Sequence, residues 1–330
     1  MLEHVLSTVA LASKLFIGDK AFCRCGIKKL YIESQALSLG REVFYGCQLI
    51  SAKIFSPIQT LPDETFSECE LLEDVHLPEE IEFLGAHAFH ACTRLKAITL
   101  PPNLRELGVG CFSDCKNLRE FKAPQTVTII ENAAFDGCIN LRSFSAYQLD
   151  EISRSAFNGC KCLEEFVIKD DSKLMKISEL AFSGCALLKK FKFPINLRYI
   201  GERAFANSGI EEANLPPSLS IIEICAFSNC GYLSSVTFPT ALHRIARESF
   251  KNCHMLSRVD FSGCFIDVIE KEAFYGCDGM QEIVFDNIPR VIAESAFRRC
   301  LNLQRVLYKG TNKDGFIKLR TFISRCTAEE

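Results

Sequence analysis

A Phe followed three residues later by a Cys, as in Gly85-Ala-His-Ala-Phe-His-Ala-Cys92, returns every 22 to 25 residues from end to end of the chain. The phenylalanines of this skeleton are Phe22, Phe44, Phe66, Phe89, Phe112, Phe135, Phe157, Phe182, Phe205, Phe227, Phe250, Phe274, Phe297 and, less regularly, Phe322, which makes about fourteen copies of one unit. A unit this short cannot bury its own apolar face, so it must stack on its neighbours, and a repeat in this range means a solenoid. A length of 330 residues would by itself suggest two domains. The unbroken repeat overrides that prior and predicts one domain over 1–330, with an N-terminal cap at 1–14, repeats over 15–316 and a half-repeat cap at 317–330.

One coil displays the design: Leu95-x-x-Ile98-x-Leu100-Pro101-x-x-Leu104-x-x-Leu107-Gly108-x-x-Cys111-Phe112-x-x-Cys115. Ile98-Thr99-Leu100 alternates in, out, in, as a short half-buried strand does, and Pro101 ends it by removing a backbone donor. The same alternation at Val75-His76-Leu77, Phe121-Lys122-Ala123, Phe144-Ser145-Ala146, Phe191-Lys192-Phe193 and further copies predicts one short strand per coil, stacked in parallel. Parallel connections are right-handed in nearly all cases, so the expected fold is an α/β repeat wound as a right-handed solenoid. Gly lies four residues before Phe at Gly18, Gly40, Gly85, Gly108 and Gly201, where it suits either a positive φ or a close backbone approach. The Ala-Phe segment is expected to cross the back as a single helical turn and to aim Phe between sheet and back wall.

The repeated unit Cys-x-x-Leu-x-x-Ile-x-Leu-Pro-x-x-Leu-x-x-Ile-Gly-x-x-Ala-Phe-x-x-Cys closely resembles the BspA-like subclass of leucine-rich repeats. The best matches run from Cys92 to Cys115, Cys115 to Cys138, Cys185 to Ser208 and Ser208 to Cys230, and the resemblance covers nearly the whole chain. It implies a curved leucine-rich-repeat solenoid used for protein-protein contact. Several members of that subclass are described as surface adhesins of bacteria and protists that bind host matrix proteins.

Eighteen Cys would announce disulfides in a small secreted protein, but twelve of them occupy one phase of the coil: Cys25, Cys47, Cys69, Cys92, Cys115, Cys138, Cys160, Cys185, Cys230, Cys253, Cys277 and Cys300. Such a ladder reads as inward-facing structural thiols, since free Cys behaves as a small buried hydrophobe. Reduced thiols favour a reducing compartment, so the expected localisation is cytoplasmic, with cell surface or secretion as the alternative. No Asn lies in an Asn-x-Ser/Thr acceptor site, which points the same way.

Cys23-Arg-Cys25, Cys160-Lys-Cys162, and His87 and His90 near Cys92 are the metal candidates, and none has a second matching pair at zinc-site spacing. No Gly-x-Ser-x-Gly, His-Glu-x-x-His or phosphate-binding Gly-rich loop occurs, so neither catalysis nor a cofactor is expected. A net charge of -3 with interspersed signs gives no footprint for nucleic acid. No run of about 18 apolar residues predicts a transmembrane helix.

Binding a protein partner is left as the expected function, by a chain expected to be a monomer. The outward residues of the strands form its candidate surface, and Tyr31, His76, Lys122, Lys192, Asn214 and Asp260 are the candidate contact residues. The charged members are several coils apart and expected to stand free for a partner. The insertions Lys169-Asp-Asp-Ser-Lys173 and Lys309-Gly-Thr-Asn-Lys-Asp-Gly315 mark a rim that could share the role.

Overall fold

Stacked phenylalanines fill the interior. In the computed structural model, which describes residues 9–10, 14–169 and 172–328, the chain winds as a parallel β-solenoid of about thirteen turns with little helix. It forms two compact units, residues 1–172 and 173–330. The expected N-terminal cap lies largely outside the described residues, as do Asp170 and Asp171 of the first insertion.

In the first unit the rings of Phe22, Phe44, Phe66, Phe89, Phe112, Phe135 and Phe157 stack face to face with centroids 5.2–5.6 Å apart. A second file, Phe121, Phe144 and Phe166, meets the first edge-on; Phe121 and Phe135 lie 4.6 Å apart at 73°. The second unit repeats this with Phe182, Phe205, Phe227, Phe250, Phe274 and Phe297, spaced 5.3–5.5 Å. Stacked and edge-to-face rings each add about 0.5–1.5 kcal/mol beyond the area they bury.

Most coils carry a second strand that the alternation does not announce. A front ladder holds the predicted strands, for example Lys29–Glu33, Ser51–Ile54 and Asp74–His76, paired in parallel register with Tyr31 opposite Lys53 and Lys53 opposite His76. Glu120–Lys122, Ser143–Ser145 and Glu165–Val167 form another such sheet in the first unit. In the second unit, Arg258–Asp260, Glu282–Phe285 and Arg305–Tyr308 do the same. The alternation at Ile98-Thr99-Leu100 and Phe191-Lys192-Phe193 does not develop into strand. A side ladder of strands only two residues long runs through the Leu-x-x-Ile segment: Thr60–Leu61, Phe83–Leu84, Glu106–Leu107, Ile129–Ile130 and Glu151–Ile152 in the first unit. In the second unit it includes Arg244–Ile245, Val268–Ile269 and Val291–Ile292.

The back wall is not the helical turn expected. Around every ladder Phe from Phe22 to Phe274, the residues two before and two after take positive φ, for example Ala133 (55°) and Gly137 (72°) around Phe135, and Leu180 (58°) and Gly184 (73°) around Phe182. The intervening N–H groups alternate in their use. Phe112 N–H donates to Ala134 O of the next coil at 2.8 Å, whereas Cys115 N–H turns back to Phe112 O at 3.2 Å. No β-branched residue is found among the positive-φ positions of the described residues, in keeping with the steric cost such side chains meet there.

The motif glycines serve close approach instead. None of Gly40, Gly85, Gly108 and Gly201 has a positive φ, and a Cβ on Gly85 would stand 2.5 Å from Asp63 N, one on Gly201 2.6 Å from Glu179 N.

The buried ladder thiols face inward, and most donate to a carbonyl of a neighbouring coil. Cys69, Cys92, Cys115 and Cys138 donate S–H to the carbonyls of Phe44, Phe66, Phe89 and Phe112 at 3.0–3.2 Å. Cys230, Cys253, Cys277 and Cys300 do the same in the second unit at 3.0–3.3 Å. Burial pushes the Cys47 and Cys230 thiols up to about 11 and Cys69 up to about 12, so they stay protonated at neutral pH.

The C-terminal segment corrects a further expectation. Instead of half a coil it forms the helix Lys313–Ala328, with Leu319 and Ile323 buried and Phe316 stacked on Tyr308 at 5.6 Å. Phe322 therefore belongs to a helix and starts no further copy.

Candidate functional site

Strands of the front ladder turn alternate side chains outward, which is how three rings of the first unit come together. Tyr31, at the middle of Lys29–Glu33, and His76, at the end of Asp74–His76, lie on either side of Phe55, which directly follows Ser51–Ile54. Phe55 is held there by its N–H bond to Ile32 O at 2.9 Å. The ring of Phe55 is 5.1 Å from that of Tyr31 and 4.6 Å from that of His76, tilted by 45° and 33°. Phe55 nevertheless leaves 44% of its surface in water. Leaving that much Phe uncovered forgoes hydrophobic burial, and aromatic anchors of this kind carry much of the energy at protein interfaces.

Polar groups fix the edges of the cluster. Tyr31 donates its hydroxyl to Glu33 at 2.8 Å, and this bond raises the tyrosine pKa. Lys53 pairs with Asp74 at 3.4 Å beside the rings.

Of the candidate contact residues, Tyr31, His76 and Lys122 all face outward from the front ladder of the first unit. Phe55 was not among them because its copy is irregular, although an apolar aromatic just past the strand was a readable signal. In the second unit, Asn214 is exposed and accepts a bond from Thr237 Oγ1 at 3.3 Å. Asp260 does not stand free. Although partial burial opposes ionisation, bonds from Ser262 and from Arg258, the latter at 2.7 Å, hold its carboxyl down at about 2. Lys192 is exposed and likewise engaged. Val284, which alternation turns outward, is buried in register between Asp260 and Leu307.

The metal candidates do not assemble. His90 Nδ1 lies 2.7 Å from Ser113 Oγ, with His87 packed edge-on at 5.5 Å. Among the described residues no three His, Cys, Asp or Glu side chains form a metal-holding group. No helix of the described residues is long and apolar enough to cross a membrane.

A profile of the BspA type leucine rich repeat region matches residues 15–142, 105–232 and 205–323. Among solved structures, a leucine rich cell surface protein from Faecalibacterium prausnitzii A2-165 is similar over 96% of this chain and 86% of its own, at 23% identity and a TM-score of 0.58. A leucine-rich repeat protein from Bacteroides ovatus is similar over 93% of this chain and 88% of its own, at 24% identity and a TM-score of 0.57. One from Eubacterium ventriosum covers 85% and 72%, at 19% identity and a TM-score of 0.50. These likenesses are likenesses of fold. Comparison with curated proteins gives no match.

Proposed function

The chain belongs to the BspA type leucine-rich repeat family, and from that premise we propose that it binds a protein partner on the front face of its first unit, with Phe55 as the central anchor. Leucine-rich repeat proteins generally mediate protein interaction and are generally not enzymes. The observation that carries the reading is the exposed ring of Phe55 held between Tyr31 and His76 on a rigid ladder. Anchors of this kind bind well because their rotamers are already fixed, so little entropy is lost on docking.

A photoreactive phenylalanine analogue placed at Phe55 should crosslink one discrete protein from the source cell. With that protein purified, Phe55→Ala should weaken binding by about 2 kcal/mol or more, roughly thirtyfold in Kd. Stability should change by less than about 0.5 kcal/mol, as at most surface sites. Unchanged affinity for Phe55→Ala would remove the front-face reading.

Display at a cell surface is the setting we favour over the cytoplasm. The Faecalibacterium neighbour is described as a cell surface protein, which supports this. Ladder thiols do not oppose it. Tied to carbonyls and held protonated by burial, they are poor substrates for oxidation wherever the chain resides, so they no longer argue for a reducing compartment. Protease treatment of intact source cells should degrade the protein if it is displayed, and full survival would return it to the interior.

A further inference from the structure

A row of cations on the front face of the first unit is left without counter-charge. Lys96, Arg119 and Arg142 occupy the same position in three successive coils: Arg119 N–H donates to Lys96 O at 3.1 Å and Arg142 N–H to Arg119 O at 2.7 Å. Lys122 is exposed three residues after Arg119, in register with Ser145. All four side chains are exposed, and no carboxylate of the described residues pairs with any of them. Glu120 lies between Arg119 and Lys122, and Glu164 and Glu165 follow Arg142 in the next coil, their N–H groups bonded to Arg142 O at 2.8 and 3.1 Å, yet none of the three closes an ion pair with the row.

Several other cations on the front ladders are matched. Lys53 pairs with Asp74 at 3.4 Å and Arg94 with Glu73 at 3.5 Å. In the second unit Arg258 and Arg305 converge on the buried Glu282 at 2.5 and 2.9 Å, and Lys189 meets Glu211 at 3.2 Å. Coils are stacked about 4.8 Å apart, so the unmatched row sets like charges side by side where they repel.

We infer that this row is the seat of an acidic, extended segment of the protein partner, running along the coils. The inference rests on the proposed function above and specifies the chemistry of the partner. Arginine forks take carboxylates two hydrogen bonds at a time, so Arg119 and Arg142 favour a carboxylate-bearing segment over a merely polar one. The row begins at Lys96, in the coil that directly follows that of His76, so one partner can engage both the row and the Tyr31–Phe55–His76 cluster.

The test uses the full chain and three probes: a peptide alternating Glu and Gly, the same peptide with Gln for Glu, and a heparin oligosaccharide, each followed by fluorescence anisotropy. The Glu peptide should bind, weaken steeply with salt, and lose at least about tenfold in affinity in the triple variant Lys96→Glu, Arg119→Glu, Arg142→Glu. An equal charge change at Lys161→Glu, Lys271→Glu and Arg299→Glu should cost less than about twofold. If charge reversal disturbs folding, the corresponding triple Gln variant should still lose most of the binding.

No binding of the Glu peptide, equal loss in the two charge-reversed variants, or binding of heparin alone would each overturn the inference. Failure here with Phe55-dependent capture intact would leave the proposed function standing. Failure of that capture with peptide binding intact would do the opposite.

Discussion

Phe135→Ala and Phe182→Ala are each expected to cost about 3 to 5 kcal/mol in denaturant unfolding, the range for truncating a fully buried aromatic. Both rings are wholly buried. Phe135 is stacked on Phe112 and Phe157 at 5.6 and 5.2 Å and meets Phe121 and Phe144 edge-on, so its removal opens a void that neighbours on rigid ladders cannot close. Phe16 is the internal control: it is a phenylalanine of the side ladder, 75% exposed, and Phe16→Ala should cost well under about 1 kcal/mol. Equal losses at all three positions would mean that the stacked file does not hold the coils together.

Gly108→Ala should cost about 1 to 3 kcal/mol, the range for overpacking, although alanine is the gentlest possible addition. The added Cβ would stand 2.5 Å from Leu84 O and 2.8 Å from Gly85 C, both backbone atoms of the preceding coil, and backbone in a ladder cannot turn aside. Gly18 occupies the same motif position in the first coil, where the nearest atom to an added Cβ is a Phe16 ring carbon at 3.6 Å. There the same substitution should be neutral or stabilise by up to about 1 kcal/mol, through the lower entropy of the unfolded chain. Thermal unfolding of the two variants side by side decides the matter, and similar shifts at both sites would refute a role in coil-to-coil approach.

The period, the inward Phe and the inward Cys are all legible in the sequence because each is a large or distinctive side chain recurring at one phase. The side ladder is not, since two residues are too few to show alternation; Ile129–Ile130 reads equally well as loop. Left-handed positions escape for the opposite reason: residues as different as Leu180, Glu248 and Cys225 occupy them, and what they share is only the lack of a branch at Cβ. The terminal helix did leave a trace, in that Cys326 follows Phe322 by four residues rather than three, and Phe316, Leu319 and Ile323 recur at helical spacing.

For the candidate site, Tyr31, His76 and Lys122 follow from strand alternation alone. Phe55 and the row of Lys96, Arg119 and Arg142 lie outside the strand-centre position that alternation singles out, and only stacking of coils shows that these residues are neighbours. Asp260 fails as a free charge because Arg258 and Ser262, each only two residues away, fold back onto its carboxylate, a local turn that strand alternation does not show.

Backbone bonds that pass from each coil to the next, as from Phe112 N–H to Ala134 O and from Phe135 N–H to Ala156 O, make the chain modular in an evolutionary sense. A duplication or loss of one whole coil returns every donor to an equivalent acceptor, whereas a single inserted residue within a ladder misaligns all that follow in that coil. Lineages of such a protein can therefore change length in steps of one repeat, while smaller changes are confined to the corners between ladders.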